Sequence, residues 1–418
     1  MFALMKNKNF TLLFAGTFVS NIGTTFYNFA VGWFILSLTE SPFQAGLYIA
    51  VGAILQLVTT PLAGVFIDRL HKVKILVVTD FVRGIAVVIG GILIFVLKQD
   101  LYILIILYSV TAILAINGAF FSPSVMAITP EIVEDKDLNQ ANAFFSLIRS
   151  FQAIIGVLLA GIFYALVGIE MIFIFNGISF ILSAISEMFI RLEKKVAVTA
   201  KTRQFRIDFK EGITYILNKN GFLSFLVIIL FLNFAISPFF ANVLPVFFNL
   251  EMQKEPIHLS GVQVAFSIGA LIGGILMATV GRTLSVKRTI KRGITGTLIT
   301  LGVLGILMHF MLLERLEYVM FYIVFLAVCL LMAIVNMFVN IPLQTALMRM
   351  IDEHVRGRVM SILDMLTQGL IPLAIVLAGT LLELFSVSFV LVVLFLFMVI
   401  PYVLLMLSQR VNILLEEI

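Results

Sequence analysis

Long apolar runs alternate with short charged turns along the whole chain. An apolar run of about 20 residues is long enough to cross a bilayer as a helix. Such runs fall at residues 10–38, 43–67, 75–97, 101–122, 140–167, 170–190, 221–250, 258–281, 290–313, 317–347, 359–383 and 387–409, which predicts twelve spanning helices. An even number brings both ends of the chain to one side. The longest polar interruption covers residues 192–220. Within it Phe205, Phe209, Ile213 and Ile216 recur at helical spacing, the pattern of an amphipathic helix. Two readings fit: a helix lying on the membrane surface, or a plain linker helix between two bundles.

The turns fix an orientation. Charge in hydrocarbon is costly, so each charged turn is solvated at a membrane face. The turn at residues 64–74 carries Arg69, Lys72 and Lys74, and basic turns mark the cytoplasmic side. Only Lys98, Lys254 and Arg315 fall in the opposite turns, while Arg83 and Arg149 lie within spans. Both termini are therefore expected in the cytoplasm. Gly64 stands one helical turn before Asp68, where its missing side chain lets a neighbouring helix approach.

Composition agrees: 61% of the residues are hydrophobic and 12% are charged, too few charges to cover a soluble protein of 418 residues. The net charge of +5 is scattered over many turns and makes no basic patch for nucleic acid. Residues 1–9 carry two lysines and no small-residue cleavage site, which reads as a short tail before a retained helix. Cys329 is alone, so no disulfide within the chain is expected. The four histidines are scattered, and no metal, cofactor or catalytic motif stands out. The absence of a phosphate-binding loop disfavours ATP-driven chemistry.

The two halves repeat. Ala115-Ile-Asn117, Pro123 and Ala127 recur as Ile334-Val-Asn336, Pro342 and Ala346, and Leu159-Ala-Gly161 recurs as Leu377-Ala-Gly379. The turn Asp68-Arg69 to Lys74 recurs as Gly281-Arg282 to Lys287. The expected division is a six-helix bundle at 1–191, a linker at 192–220 and a second bundle at 221–418.

The turn Gly64-x-x-x-Asp68-Arg69, with Lys72 and Lys74 following, resembles the signature loop of the major facilitator superfamily. Lys72 replaces an arginine of that pattern, and His71 its second glycine. Ser20-Asn-Ile-Gly23, Asp80-x-x-Arg83-Gly84, Phe121-Ser-Pro-Ser124 with Thr129-Pro-Glu131 and Ala141-Asn-Ala143, and Gly357-Arg-Val359 resemble the branch that holds macrolide efflux proteins, siderophore exporters and a lysophospholipid transporter. The resemblance implies an all-α membrane protein with twelve transmembrane helices in two pseudo-symmetric six-helix bundles. It implies a monomeric drug:proton antiporter of the cell membrane working by alternating access, with membrane lipid around it. It also makes Gly64, Asp68, Arg69, Lys72 and Lys74 a conformational-switch loop, with Asp68 touching the start of the eleventh helix in one state.

Polar residues inside spans are the remaining candidates. The first span sets Thr17, Asn21, Thr24, Thr25 and Asn28 on one face; the tenth carries Asn336, Asn340 and Gln344, the fourth Asn117, the seventh Asn233. Such faces turn away from lipid, toward a substrate cavity or toward one another as interhelical hydrogen bonds. An uncharged cavity beside Trp33 and many phenylalanines suits a bulky hydrophobic substrate. Asp364, Glu187 and Asp80 are the acids within spans able to carry a proton, with Asp364 foremost. Glu187 stands near a helix end, where solvent can reach it. Arg83, three residues from Asp80, and Arg149 are the charge partners. Thr24 stands where related exporters often carry an acid, which weakens the first span as a proton route. The glycines of Gly269-Ala-Leu-Ile-Gly273 are expected to admit the fifth helix.

The sequence thus points to a secondary transporter exporting a hydrophobic or amphiphilic compound against protons. A siderophore or lysophospholipid is the alternative cargo, and for that cargo Arg149 is the deep cation. A non-transporting receptor is a remote third reading, and no convergent catalytic set suggests an enzyme.

Overall fold

A computed structural model describes residues 4–67, 70–192, 205–219, 221–281, 284–352 and 355–409. Asp68, Arg69, Lys201, Arg282 and Arg410 lie outside these, as do the side chains of Phe205 and Phe209. Among the described residues the chain is helical nearly throughout.

After a 3-10 turn at Leu4–Lys6, the first half consists of α1 (Lys8–Thr39), α2 (Pro42–Ile67), α3 (Lys72–Val96), α4 (Asp100–Ile132), α5 (Leu138–Phe151) and α6 (Val157–Met188). A π turn at Gln152–Gly156 joins α5 to α6. The second half holds α7 (Phe205–Asn218), α8 (Phe222–Pro238), the short α9 (Leu244–Val246), α10 (Pro256–Val280), α11 (Val286–Leu312), α12 (Tyr318–Met350), α13 (Arg356–Gly369), α14 (Ile371–Leu384) and α15 (Val387–Leu407). π turns on either side of α9 carry one span continuously from α8 to Glu251.

Among the described residues eleven helical runs are long and apolar enough to cross a membrane, the longest being Asp135–Met188. That run holds two crossings. Gly168 stops it at φ 74°, ψ −179°, a left-handed backbone that glycine adopts without steric cost. The expected break at residues 168–169 is therefore present, and with that run divided the described residues hold twelve helical stretches of membrane-spanning character. Differences lie at the ends. α4 runs ten residues past the apolar stretch, through Pro123 and Pro130 to Ile132, and Ser124 and Thr129 hydroxyls donate to carbonyls one turn back. That last part is helix and not a loop, with Val125, Ile128 and Ile132 buried against the first unit's core.

The chain divides into two compact units, residues 1–201 with 255–260 and residues 202–254 with 261–418. In the first, α6 is wedged between α1 and α3, while α2 and α3 pack on α4. Missing side chains permit this. A Cβ on Gly23 of α1 would lie 2.2 Å from Ser179 Oγ, and one on Gly84 of α3 would lie 2.9 Å from the Gly177 carbonyl of α6. Such close approach is what holds helices together where lipid removes the hydrophobic drive. In the second unit α11 packs on α12 and α15, and α8 packs on α14 and α15. Gly269 and Gly273 of α10 face the Leu330 and Ile334 carbonyls of α12, at 2.2 and 2.8 Å from an added Cβ. The expected partner was the fifth helix; the carbonyls of α12, within the same unit, fill that space instead.

Candidate functional site

In the first unit a cavity of about 520 Å³ opens among α1, α2, α3, α4 and α6. α1 lines it with Asn21, Thr24, Tyr27 and Asn28, and α2 with Tyr48, Gly52 and Gln56. α4 supplies Thr111, Gly118, Phe121 and Ser122; α3 supplies Arg83 and α6 Phe180. The wall is neutral except for Arg83. Amide and hydroxyl groups alternate there with aromatic rings, the lining that holds an amphiphilic molecule in a defined orientation.

Arg83 connects the cavity to a buried charged set. Its guanidinium carbon sits 4.2 Å from the centre of the Phe121 ring and 4.5 Å from that of Phe180, close enough for cation–π attraction. One Nη donates to Asp80 Oδ1, a residue on the same face of α3 three positions back. Asp80 and Glu187 are each 0% exposed and Arg83 7%. Ser183, one turn before Glu187 on α6, donates its hydroxyl to Glu187 Oε1 at 3.2 Å. Packing of α6 against α1 at Gly16 closes this region. The solvation expected for Glu187 at a helix end is absent for that reason.

The remaining sequence candidates scatter. Thr25 turns from the cavity to accept from Gln152 Nε2 at 3.2 Å, and Asn117 donates to Ile113 O on its own helix. Asn340 bonds Asn336 and Gln344 is exposed, all on α12, and Asn233 of α8 is half-buried; both helices belong to the second unit. Asp364 is exposed on α13. Arg149 is exposed and donates to Ser146 Oγ at 2.7 Å, so the cation on the cavity wall is Arg83 and not Arg149. In the switch loop Lys72 pairs with Glu131 at the end of α4, and Lys74 is exposed. Around Gly64 an added Cβ meets nothing among the described residues within 4 Å, so the close approach expected there is not made.

Sequence reasoning missed Tyr27, Tyr48, Gln56 and Thr111. A signal existed for α2: Tyr48, Gly52 and Gln56 recur at i, i+4 and i+8, a polar and small stripe in an apolar helix. Asn176, Ser179, Ser183 and Glu187 form a similar stripe on α6.

The model of the Major Facilitator Superfamily matches residues 13–375. Macrolide efflux protein A of Streptococcus pyogenes is 23% identical over 276 residues, covering 65% of this chain and 66% of its own length. The match thus spans just under two thirds of that relative. The multidrug efflux pump Tap of Mycolicibacterium fortuitum is 25% identical over 365 residues, 84% of each chain. A bacterial homologue of the iron transporter ferroportin, solved facing inward, superimposes with a TM-score of 0.73 at 16% identity over 95% of this chain and 98% of that one. A nucleoside transporter gives 0.74 at 11% identity, over 95% and 99%. At these identities the solved structures speak for the fold.

Proposed function

The chain belongs to the Major Facilitator Superfamily, and from that premise we propose that it exports a hydrophobic or amphiphilic compound, such as a macrolide-like drug, by proton-coupled alternating access. Family and structural neighbours are transporters of small molecules, not enzymes. One observation carries the finer reading: a largely neutral, aromatic and amide-lined cavity has Arg83 on its wall, tied to the buried acid Asp80 with Glu187 beside it. The cavity suits a large amphiphile. The acids can change charge, which the permanently cationic Arg83 cannot. One charge moving down about 100 mV releases about 2.3 kcal/mol, enough to drive a concentration step. The efflux names of the relatives support the direction.

The switch loop is part of the proposal. Asp68 and Arg69 act as a latch that breaks and reforms as the access changes, with Lys72 held by Glu131. The distribution of basic residues supports both termini and the linker 192–220 on the cytoplasmic side, and the internal repeat supports bundles at 1–191 and 221–418, in a chain taken as a monomer in the cell membrane by family resemblance.

Arg83 also favours a second reading, in which the cargo is an anionic amphiphile such as a siderophore or a lysophospholipid. Proteoliposomes test both. With an inward proton gradient, macrolide export should carry proton uptake in wild type and in Asp364→Asn, lose it in Glu187→Gln, and fail in Asp68→Asn. Normal coupling in Glu187→Gln with loss in Asp364→Asn would return the proton to α13. Inhibition by a lysophospholipid but by no macrolide would support the second cargo.

A further inference from the structure

The buried set on α3 and α6 leaves more acceptors than donors unpaired. Arg83 takes Asp80 Oδ1 and Ser183 takes Glu187 Oε1. Asp80 Oδ2 and Glu187 Oε2 are left with no hydrogen-bond partner, and so is Arg83 Nε. Two carboxylates therefore stand beside one guanidinium. The other elements packed here face the set with uncharged groups: Gly16 from α1, Phe121 from α4 and Phe180 from α6. Fully ionised, the set carries one net negative charge out of water, which is costly. One added proton makes it neutral and supplies a donor where acceptors stand unpaired.

Ser183 is placed to use that proton. Its hydroxyl is bonded to Glu187 at 3.2 Å and lies close enough to the Asp80 carboxylate to interact with it. Gly16 makes room for it, since a Cβ there would lie 2.9 Å from Ser183 Oγ. A hydroxyl has one proton to give and lone pairs to accept another. We infer that Asp80 and Glu187 share one exchangeable proton and that Ser183 relays it between them. When the proton rests on Asp80, its carboxyl O–H breaks as a new O–H forms at Ser183 Oγ. The original Ser183 O–H breaks at the same time and its proton joins Glu187. The hydroxyl is restored, one acid has gained what the other lost, and no charge leaves the set. Ser183 is thus a positioning residue, and the substrate need not touch it. The inference deepens the proton-coupled reading above, but the shared proton belongs to the resting protein and is measurable without transport.

The test uses the full chain in lipid nanodiscs and infrared difference spectra in H2O and D2O. Wild type should show a protonated carboxyl C=O band that shifts in D2O and disappears in Glu187→Gln. Ser183→Ala should move that band upward, as a hydrogen bond is lost, and slow its deuterium exchange by about 100-fold, the lower range for a positioned proton-transfer group. Ser186→Ala removes a hydroxyl of α6 that donates instead to Leu12 O of α1, and should leave both readouts unchanged. A wild type with no protonated carboxyl band at any pH where it is folded would overturn the inference, even if Ser183→Ala does not fold. So would a Ser183→Ala spectrum and exchange rate like those of wild type. If export is independent of the proton gradient while the band behaves as described, the coupling reading falls and the shared proton stands.

Discussion

Arg83 is the residue whose loss the molecule should tolerate least. Its charge is buried, paired with Asp80 and pinned between two rings. Breaking a buried ion pair by removing one partner costs about 3–5 kcal/mol, because the other charge is left uncompensated. Arg83→Gln should therefore lower the unfolding midpoint strongly, followed through Trp33, the chain's one tryptophan. Replacing both partners, Arg83→Met with Asp80→Leu, should recover much of the loss while still failing in export. Recovery of neither would place the instability elsewhere. The pair itself was legible, since residues three apart share a helix face. Glu187 beside it was not. It is more than a hundred positions along the chain, and only the contact of α3 with α6 brings it there. A sequence gives the depth of an acid in its own helix and says nothing of the helix laid over it. That is why Glu187 read as solvated and Arg149 as the deep cation.

Helices were the most legible level, because a bilayer demands one continuous apolar run per crossing. Where prediction and structure differ, as at the end of α4, Pro123, Ser124, Thr129 and Pro130 interrupt the apolar run while the helix continues, with Val125, Ile128 and Ile132 buried. Partners of helix faces were less legible: α10 packs on α12 through glycines that any neighbour could have filled. Ends of helices also carry testable chemistry. Glu317 caps α12, its two carboxylate oxygens accepting from the Val319 and Met320 amides at 3.0 and 2.9 Å. These amide bonds hold its pKa below the usual carboxylate value. A lowered folded pKa means the cap's stabilisation is present above the ordinary carboxylate range and fades as pH falls through the folded value. Protection of the amides of residues 318–321, relative to their intrinsic exchange rates at each pH, should fall on acidification, and Glu317→Gln should remove that dependence. A pH-independent first turn in wild type would show that the cap contributes little.

At the scale of the molecule, the proposed orientation rests on the basic turns, and labelling tests it. An impermeant thiol reagent applied to whole cells should modify cysteine at Lys254 and spare cysteine at Lys136 or Lys201. Cys329 is buried and should stay silent in the parent chain. Modification at Lys201 from outside would invert the topology.

One pairing of contacts has a consequence for how the chain can be cut. In the first half Asn7, just before α1, donates to the carbonyl of Ile132, the last residue of α4. In the second half Tyr215 of α7 and Lys219 just after it, before α8, donate to the carbonyl of Met350, the last residue of α12, and the Asp352 amide donates to Tyr215. Different residues do one job at corresponding places, so α7 is the leader segment of the second half more than a tether between halves. A gene split between codons 192 and 205 should then yield two co-expressed fragments that reconstitute export, whereas a split at codon 220 strands α7 on the wrong fragment. Fusing α7 back to the second fragment should restore what that cut removes, and Tyr215→Phe should weaken the rescue.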